Sequence, residues 1–394
     1  MRIGFDAKRI FNNATGLGNY GRTLLHSLAS DFPEHAYYLF TPRTSSRFQA
    51  SRFEPIEIVQ PVQDFSKVFS SAWRSKFMTH DIRRLHMDLY HGLSNEIPFG
   101  IHRLDAKLVV TVHDLIFERY PGLYNPIDVC IYRQKVRYAC RRAHRIIAVS
   151  EQTRRDLITY YRVDAGKIQV VYPGCDPVFG QLVPRQSLRA IRQLFSLPKE
   201  FLLYVGAVVE RKNLLLLVKA LEKIPESPPL VVVGYGNRYK QKVKRYLSDH
   251  RIEDKVVWLS EKHLVLQPQL PAVYRLAKAL IYPSVFEGFG IPIQEAMWSG
   301  TPVITSSGSC FAETGGNAAI YVNPLDAHEL AEAIYRVCND SYMAADMIRK
   351  GMAYVRQFNA SVGGSAIMDV YTHLISGRDA RPSSTVAAIP FYPK

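Results

Sequence analysis

The 394-residue chain has only five cysteines, an odd number, and no two of them form a Cys-x-x-Cys pair. That leaves no disulfide framework and no thiolate zinc site, so Cys130, Cys140, Cys175, Cys310 and Cys338 read as reduced thiols of a cytoplasmic protein. No stretch approaches the roughly 20 apolar residues needed to span a bilayer. The opening Met1-Arg-Ile-Gly-Phe-Asp6 lacks the apolar core of a secretory signal and reads directly as a strand. Acidic residues are also scarce: 35 Asp and Glu against 50 Lys and Arg leave a formal net charge of +15. This excess points to an anionic partner, whether nucleic acid, a lipid surface or a phosphorylated substrate. No nucleic-acid-binding motif accompanies it, so a non-enzymatic polyanion binder would rest on charge alone.

What is present is the rhythm of an α/β protein. A length of 394 residues exceeds one ordinary core and suggests two domains. Short apolar runs alternate with longer amphipathic stretches, the pattern of parallel sheets wrapped by helices. In the first half the strands are Ile3–Phe5, Tyr37–Phe40, Leu108–Val112 and Ile146–Val149; the second half repeats with Phe201–Val205, Leu230–Val233, Val256–Leu259, Ala279–Tyr282 and Val303–Ile304. Residues 1–180 are expected to form one doubly wound, Rossmann-like domain and 199–355 another, joined by a Pro-rich, polar linker over 181–198. Ligands of such sheets bind beyond the carboxyl ends of the strands, so the site loops of both domains are expected to face a shared cleft. Beyond Ser376 the tail is polar and Pro-containing and is expected to be mobile.

The densest signal is Glu287-Gly-Phe-Gly-Ile-Pro-Ile-Gln-Glu295. It follows the strand Ala279–Tyr282, which Pro283-Ser284 breaks, and it sets two carboxylates on either side of a Gly-rich turn that opens a helix. Gly288 and Gly290 leave backbone N–H groups bare, and Pro292 suits a first helical turn. Free N–H groups at a helix start suit an anion or a hydroxyl-rich ligand. Paired acids there want hydrogen-bond donors such as sugar or ribose hydroxyls; the alternative is that Glu287 and Glu295 merely complement the helix dipole and face water.

Other residues carry chemistry with a plainer reading beside it. Arg211-Lys212 follows a strand and Gly206; the pair would face a pyrophosphate, Arg211 bidentately and Lys212 as a point charge, or would be a solvated turn. Gly234-Tyr-Gly236 either borders a nucleotide or is a simple strand-to-helix turn. His113-Asp114 ends the strand Leu108–Val112 and so lies at a carboxyl end, where a histidine either positions substrate or serves as a structural hydrogen-bonder. Gly16-Leu-Gly18-Asn-Tyr-Gly21 formally matches GxGxxG, yet it starts about ten residues after the strand and no acid ends the next strand, so a dinucleotide site is rejected. It reads instead as a glycine loop opening a helix over Asn19–Ala29. Arg133, Arg137, Arg141 and Arg145 recur every four residues on an expected helix, with Lys135, Arg142, Arg154 and Arg155 nearby. Like charges at that spacing repel, so phosphates or acidic lipids would neutralise them, unless their stems simply pack with solvated heads.

In series, these landmarks resemble a known family. Glu-x7-Glu after Tyr282-Pro-Ser284, followed by Ala296-Met-Trp-Ser-Gly300-Thr-Pro302-Val-Ile, is similar to the signature of retaining glycosyltransferase family four, with a GT-B fold of two facing Rossmann-like domains. Val205-Gly206-Ala-Val-Val-Glu210-Arg211-Lys212-Asn213-Leu214 and Ala148-Val149-Ser150-Glu151 extend the resemblance over nearly the whole chain. The resemblance implies that Glu287 orients the donor sugar, that Glu295 accepts hydrogen bonds from the ribose, that the N–H groups of Phe289 and Gly290 hold sugar hydroxyls, and that Gly288 and Ile291 also bind the donor. It implies further that Lys212 and Arg211 contact the diphosphate, that Gly16, Gly18, Gly206 and Gly234 border the donor, and that His113 positions the reacting sugar. Ala207 stands where some members place an arginine, so Arg211 is expected to take that duty. A C-terminal helix, about 360–376, would cross back onto the first domain. No cofactor and no metal are implied. The pattern most resembles bacterial mannosyltransferases of surface-polysaccharide assembly, which implies GDP-mannose as donor, with a UDP-sugar or an epimerase-type reaction as alternatives. A saccharide or lipid-linked saccharide would be the acceptor, with peripheral contact to an anionic inner-membrane face through Arg133, Arg137, Arg141, Arg142 and Arg145 and no nucleic acid.

Overall fold

The computed structural model describes residues 1–50, 56–61 and 70–377, so the tail expected to be mobile lies outside the described residues from 378 on. The chain divides into two compact units: the first takes Met1–Gly174 and the segment from Phe358 on, and the second takes Cys175–Gln357.

The first unit is built on a seven-stranded sheet of β1 (Arg2–Asp6), β2 (Ala36–Phe40), β3 (Ile56–Val59), β4 (Leu89–Gly92), β5 (Lys107–Val112), β6 (Arg145–Ala148) and β7 (Ile168–Val170). The order is β3-β2-β1-β4-β5-β6-β7, every pair parallel. Alternate residues feed alternate faces. Tyr38, Phe40, Tyr90 and Val110 join one core cluster, whereas Phe5, Tyr37, Leu39 and Val109 join the other. The second unit repeats the plan with β8 (Leu202–Val205), β9 (Leu230–Val233), β10 (Val256–Trp258), β11 (Ala279–Tyr282), β12 (Val303–Ser306) and β13 (Ala319–Val322), ordered β10-β9-β8-β11-β12-β13. Helices cover both faces of such sheets, which is why β8, β9 and β11 are unbroken apolar runs; Ala279-Leu-Ile-Tyr282 is buried throughout. In each unit the winding reverses beside the first strand, between β1 and β4 and between β8 and β11. These are the crevices where doubly wound sheets bind ligands.

Three local expectations need correction. Residues 181–198 are not a plain linker, because Arg185–Leu194 is a helix packed on helix Leu270–Leu276. Leu188, Ile191 and Phe195 sit at helical spacing there, and that periodicity outweighs the Pro-rich, polar composition. The glycine loop is not a loop either: the helix runs Gly16–Asp31 and contains both Gly16 and Gly18. A Cβ on Gly18 would stand 2.0 Å from the Asn13 carbonyl oxygen, so glycine is needed for a close approach, not for a turn. Finally, Arg145 is not on the arginine helix. That helix is Pro126–Arg142, capped by the Asn125 side chain, and Arg145 begins β6. Arg133 is paired with Glu118 at 2.9 Å, and the helix buries Val129, Val136, Ala139 and Cys140. No described helix is long and apolar enough to cross a membrane.

The C-terminal helix Ala360–Ser376 packs on helix Gly16–Asp31, with Gly364 so close that a Cβ would lie 2.2 Å from Ser27 Oγ. Its Tyr371 is fully buried, and the hydroxyl lies 2.5 Å from His91 Nδ1, while His91 Nε2 lies 2.8 Å from Thr111 Oγ1. Burial keeps His91 neutral by lowering its pKa to about 3. Removing the hydroxyl would leave a buried ring nitrogen unpaired. Tyr371→Phe is therefore expected to lower unfolding free energy by about 1–3 kcal/mol in urea titrations; no loss would mean that the contact does not anchor the helix.

Candidate active site

At the carboxyl ends of β8 and β11 the second unit brings three of the expected residues into direct contact. Glu287 Oε1 lies 2.5 Å from Arg211 Nη1 and 2.7 Å from Lys212 Nζ. Both cations come from the one-turn helix Glu210–Lys212, which ends at Asn213 in the left-handed region with φ 59°. The Asn213 side chain fastens that end by donating to the Pro324 carbonyl at 2.7 Å. Lys212 Nζ also donates to the Tyr282 hydroxyl and sits 4.5 Å from that ring's centre. Glu287 is 8% exposed. Burial alone would raise its pKa, but Lys212 and Arg211 outweigh it and hold the carboxyl below its usual range. Glu287 is thus an ionised acid at a water-poor switch point.

The loop that carries Glu287 is clamped on both sides. Arg211 Nη1 donates to the Phe286 carbonyl at 2.5 Å, and Val285 N–H donates to the Arg211 carbonyl at 2.9 Å. Across from these, Ser309 Oγ donates to the Glu287 carbonyl at 2.9 Å, and the Cys310 thiol donates to the Phe289 carbonyl at 3.1 Å. Gly290, with φ 100°, then starts the helix Ile291–Trp298. Gly288 and Gly290 N–H find no acceptor among the described residues, so they are available to a ligand. Phe289 is buried and Ile291 is the first helical residue. Gly206 and Gly234 complete the wall: a Cβ on Gly234 would fall 1.8 Å from the Gly206 carbonyl oxygen, and one on Gly206 would meet Lys212 Nζ at 3.7 Å. The Gly234 N–H is already bonded to Ser260 Oγ at 2.9 Å.

Glu295, one turn into the helix, is not brought into contact with Glu287. It is 5% exposed and receives the Tyr274 hydroxyl on Oε2 at 2.7 Å. It forms no ion pair among the described residues, and burial raises its pKa to about 7 despite the tyrosine. Gly16, Gly18 and His113 belong to the first unit. There His113 Nε2 donates to the Leu93 carbonyl at 2.8 Å, which fixes the tautomer and leaves Nδ1 as an acceptor. Burial lowers the His113 pKa to about 4, so the ring is neutral at pH 7. Its edge contact with Tyr20, ring centres 4.8 Å apart, ties it to the helix that carries Gly16 and Gly18. Tyr274, Tyr282, Ser309 and Cys310 were missed by sequence reasoning. Only Tyr282 carried a local signal, as the last strand residue before Pro283.

A family model described as "Glycosyltransferase Family 4" matches residues 14–179, and one described as "Glycosyl transferases group 1" matches 189–353. The chain belongs to the group 1, family 4 glycosyltransferases. Among curated relatives of this glycosyltransferase, O-antigen chain mannosyltransferase B of Escherichia coli is 28% identical over 276 residues, covering 69% of this chain and 70% of that protein. O-antigen chain mannosyltransferase RfbU of Salmonella typhimurium is 31% identical over 228 residues, covering 58% and 60%. Among solved structures, sucrose-phosphate synthase from Thermosynechococcus elongatus aligns with a TM-score of 0.77 at 20% identity, covering 96% of this chain and 100% of that one. Anabaena HepE, solved with UDP and glucose, aligns at 0.74 and 18% identity, covering 94% and 99%. These structural likenesses show the GT-B fold.

The raised pKa of Glu295 has a measurable sign. The folded state holds this proton more tightly than the unfolded chain, so stability falls as pH rises from about 4.5 to above 7. Glu295→Gln keeps a partner for Tyr274 and removes the titration. The variant should be more stable than wild type by about 1–3 kcal/mol at pH 8 and show no such gain at pH 4. An equal difference at both pH values would contradict a buried, titrating Glu295.

Proposed function

We propose that this glycosyltransferase is a retaining, metal-independent hexosyltransferase that moves mannose from GDP-mannose to a hydroxyl of a lipid-linked or growing polysaccharide. The observation that carries this reading is the ionised Glu287 held between Arg211 and Lys212 at the β8/β11 crevice. The two cations supply fixed positive charge where a nucleoside diphosphate departs, in a site dry enough for that charge to act strongly. The similarity to O-antigen chain mannosyltransferases favours mannose as the sugar.

In this mechanism the acceptor oxygen attacks the anomeric carbon on the face from which the diphosphate leaves. The acceptor's proton passes to the departing diphosphate oxygen, the bond from that oxygen to the sugar breaks, and the glycosidic bond forms with the configuration retained. Glu287 accepts a hydrogen bond from a sugar hydroxyl and favours the oxocarbenium-like transition state. Gly288, Phe289, Gly290 and Ile291 present the loop backbone to the sugar, while Glu295, ionised on binding, accepts from the ribose. Gly16, Gly18, Gly206 and Gly234 allow close approach to the donor. Neutral His113 accepts a hydroxyl through Nδ1 and takes no proton in the step. Peripheral contact with an anionic membrane through Arg137, Arg141 and Arg142, with Arg133 and Arg145 nearby, would bring a lipid-linked acceptor to the enzyme.

Purified enzyme should be stabilised against heat by GDP-mannose more than by UDP-sugars, in proportion to affinity. Given acceptor, it should form an α-linked product, read by NMR from the α-configured donor. Lys212→Ala and Glu287→Ala should each lower kcat by about 10²–10³-fold. Full activity in either variant, or an inverted product, would overturn the assignment.

A further inference from the structure

The buried carboxylate of Glu295 has its protein partner on a different helix. Tyr274, on helix Leu270–Leu276, is fully buried and donates its hydroxyl to Glu295 Oε2 at 2.7 Å. Glu295 Oε1 accepts from no group among the described residues. One oxygen is therefore engaged by the protein, and the other is left for a donor from outside. The tyrosine is held in place on two sides. Its ring stands edge-on to Phe179, with centres 5.8 Å apart and planes at 77°. Its backbone carbonyl accepts from Thr301 Oγ1 at 2.8 Å, and the Thr301 N–H donates to the Ala296 carbonyl at 2.9 Å, so Tyr274 is tied to the residue next to Glu295.

Packing alone does not account for this pair. A phenylalanine and an apolar side chain would fill the two positions without burying a carboxylate that has no ion pair. Burial and the charge of Glu295 push the Tyr274 hydroxyl well above its usual range, so it keeps its proton and is the donor of the pair. The charges nearby oppose each other: Asp176, anchored by Gln267 Nε2 at 2.6 Å, disfavours ionisation of Glu295, and Lys212 favours it. The Tyr274 hydroxyl favours the ionised form too. A fixed donor on Oε2 restricts rotation of the carboxylate and leaves Oε1 as a pure acceptor, which is what a sugar hydroxyl requires.

We propose that Tyr274 is a positioning residue for the donor: by holding Glu295 Oε2 it presents Oε1 to the ribose hydroxyls of the nucleotide, and so gives the enzyme a preference for ribonucleotide over deoxyribonucleotide donors. This rests on the donor reading above, in which Glu295 accepts from the ribose. Tyr274 itself touches no ligand and acts through the carboxylate.

The test uses the full chain and isothermal titration calorimetry with GDP and with dideoxy-GDP, which lacks both ribose hydroxyls. Wild type should bind GDP about 10–100-fold more tightly than dideoxy-GDP, the range for hydrogen bonds to a charged group. Tyr274→Phe should cut GDP affinity about tenfold and leave dideoxy-GDP affinity unchanged, which also shows that the variant is folded. An equal loss for both ligands would make Tyr274 structural only and overturn the proposal, as would unchanged GDP affinity. No discrimination in wild type would instead overturn the ribose role of Glu295, and the proposal with it. UDP and dideoxy-UDP give the same comparison if the enzyme binds uridine nucleotides. A ring-fluorinated tyrosine in place of Tyr274 keeps the hydroxyl and gives a second reading. Its fluorine NMR resonance should shift on adding GDP and stay put with dideoxy-GDP; the same response to both would overturn the proposal.

Discussion

One carboxylate held between two cations organises the second unit. Glu287 would be costly to bury alone. Arg211 and Lys212 make it affordable, and Arg211 also donates to the carbonyl next to it, so the charge pair and the backbone clamp are one structure. Because the cations follow β8 and the acid follows β11, the cluster bridges the two strands where the sheet reverses its winding. Two glycines beside it serve the backbone: Gly206 takes a φ of 144° next to Lys212, and Gly234 lets two strand ends nearly touch. A ligand diphosphate entering here would meet positive charge already oriented, which is the economical way to stabilise a leaving group.

The two acids of the motif, eight residues apart, are held in opposite states by their neighbours. Glu287 touches two cations and stays ionised; Glu295 touches a tyrosine and sits near neutrality with a pKa of about 7. Pushing apart the states of paired carboxylates is a common sign of divided roles. In the first unit burial instead holds two histidines in one state: His91 and His113 are both kept neutral, one beside Tyr371 and the other on the Leu93 carbonyl.

Much of this was legible in the chain because the signal was local. Leu230-Val-Val-Val and Ala279-Leu-Ile-Tyr announce central strands, and Glu287 to Glu295 announces a turn and a helix start with acids at its ends. Short strands with mixed residues were not legible: Leu89-Tyr-His-Gly of β4 carries a histidine and a glycine, and only its place between β1 and β5 makes it a strand. Gly18 looked like a loop glycine because sequence shows freedom of the backbone but not the close approach of the Asn13 carbonyl oxygen. Tyr274, Ser309 and Cys310 lie 21, 22 and 23 residues from the acids or carbonyls they bond, distances that no short pattern encodes.

The most direct test is a crystal structure of the enzyme with GDP-mannose or its fluorinated analogue. The account predicts the diphosphate against Lys212 Nζ and Arg211, a hexose hydroxyl against Glu287, and the ribose on Glu295. A diphosphate bound elsewhere, with the Glu287–Lys212 pair intact and untouched by ligand, would contradict it.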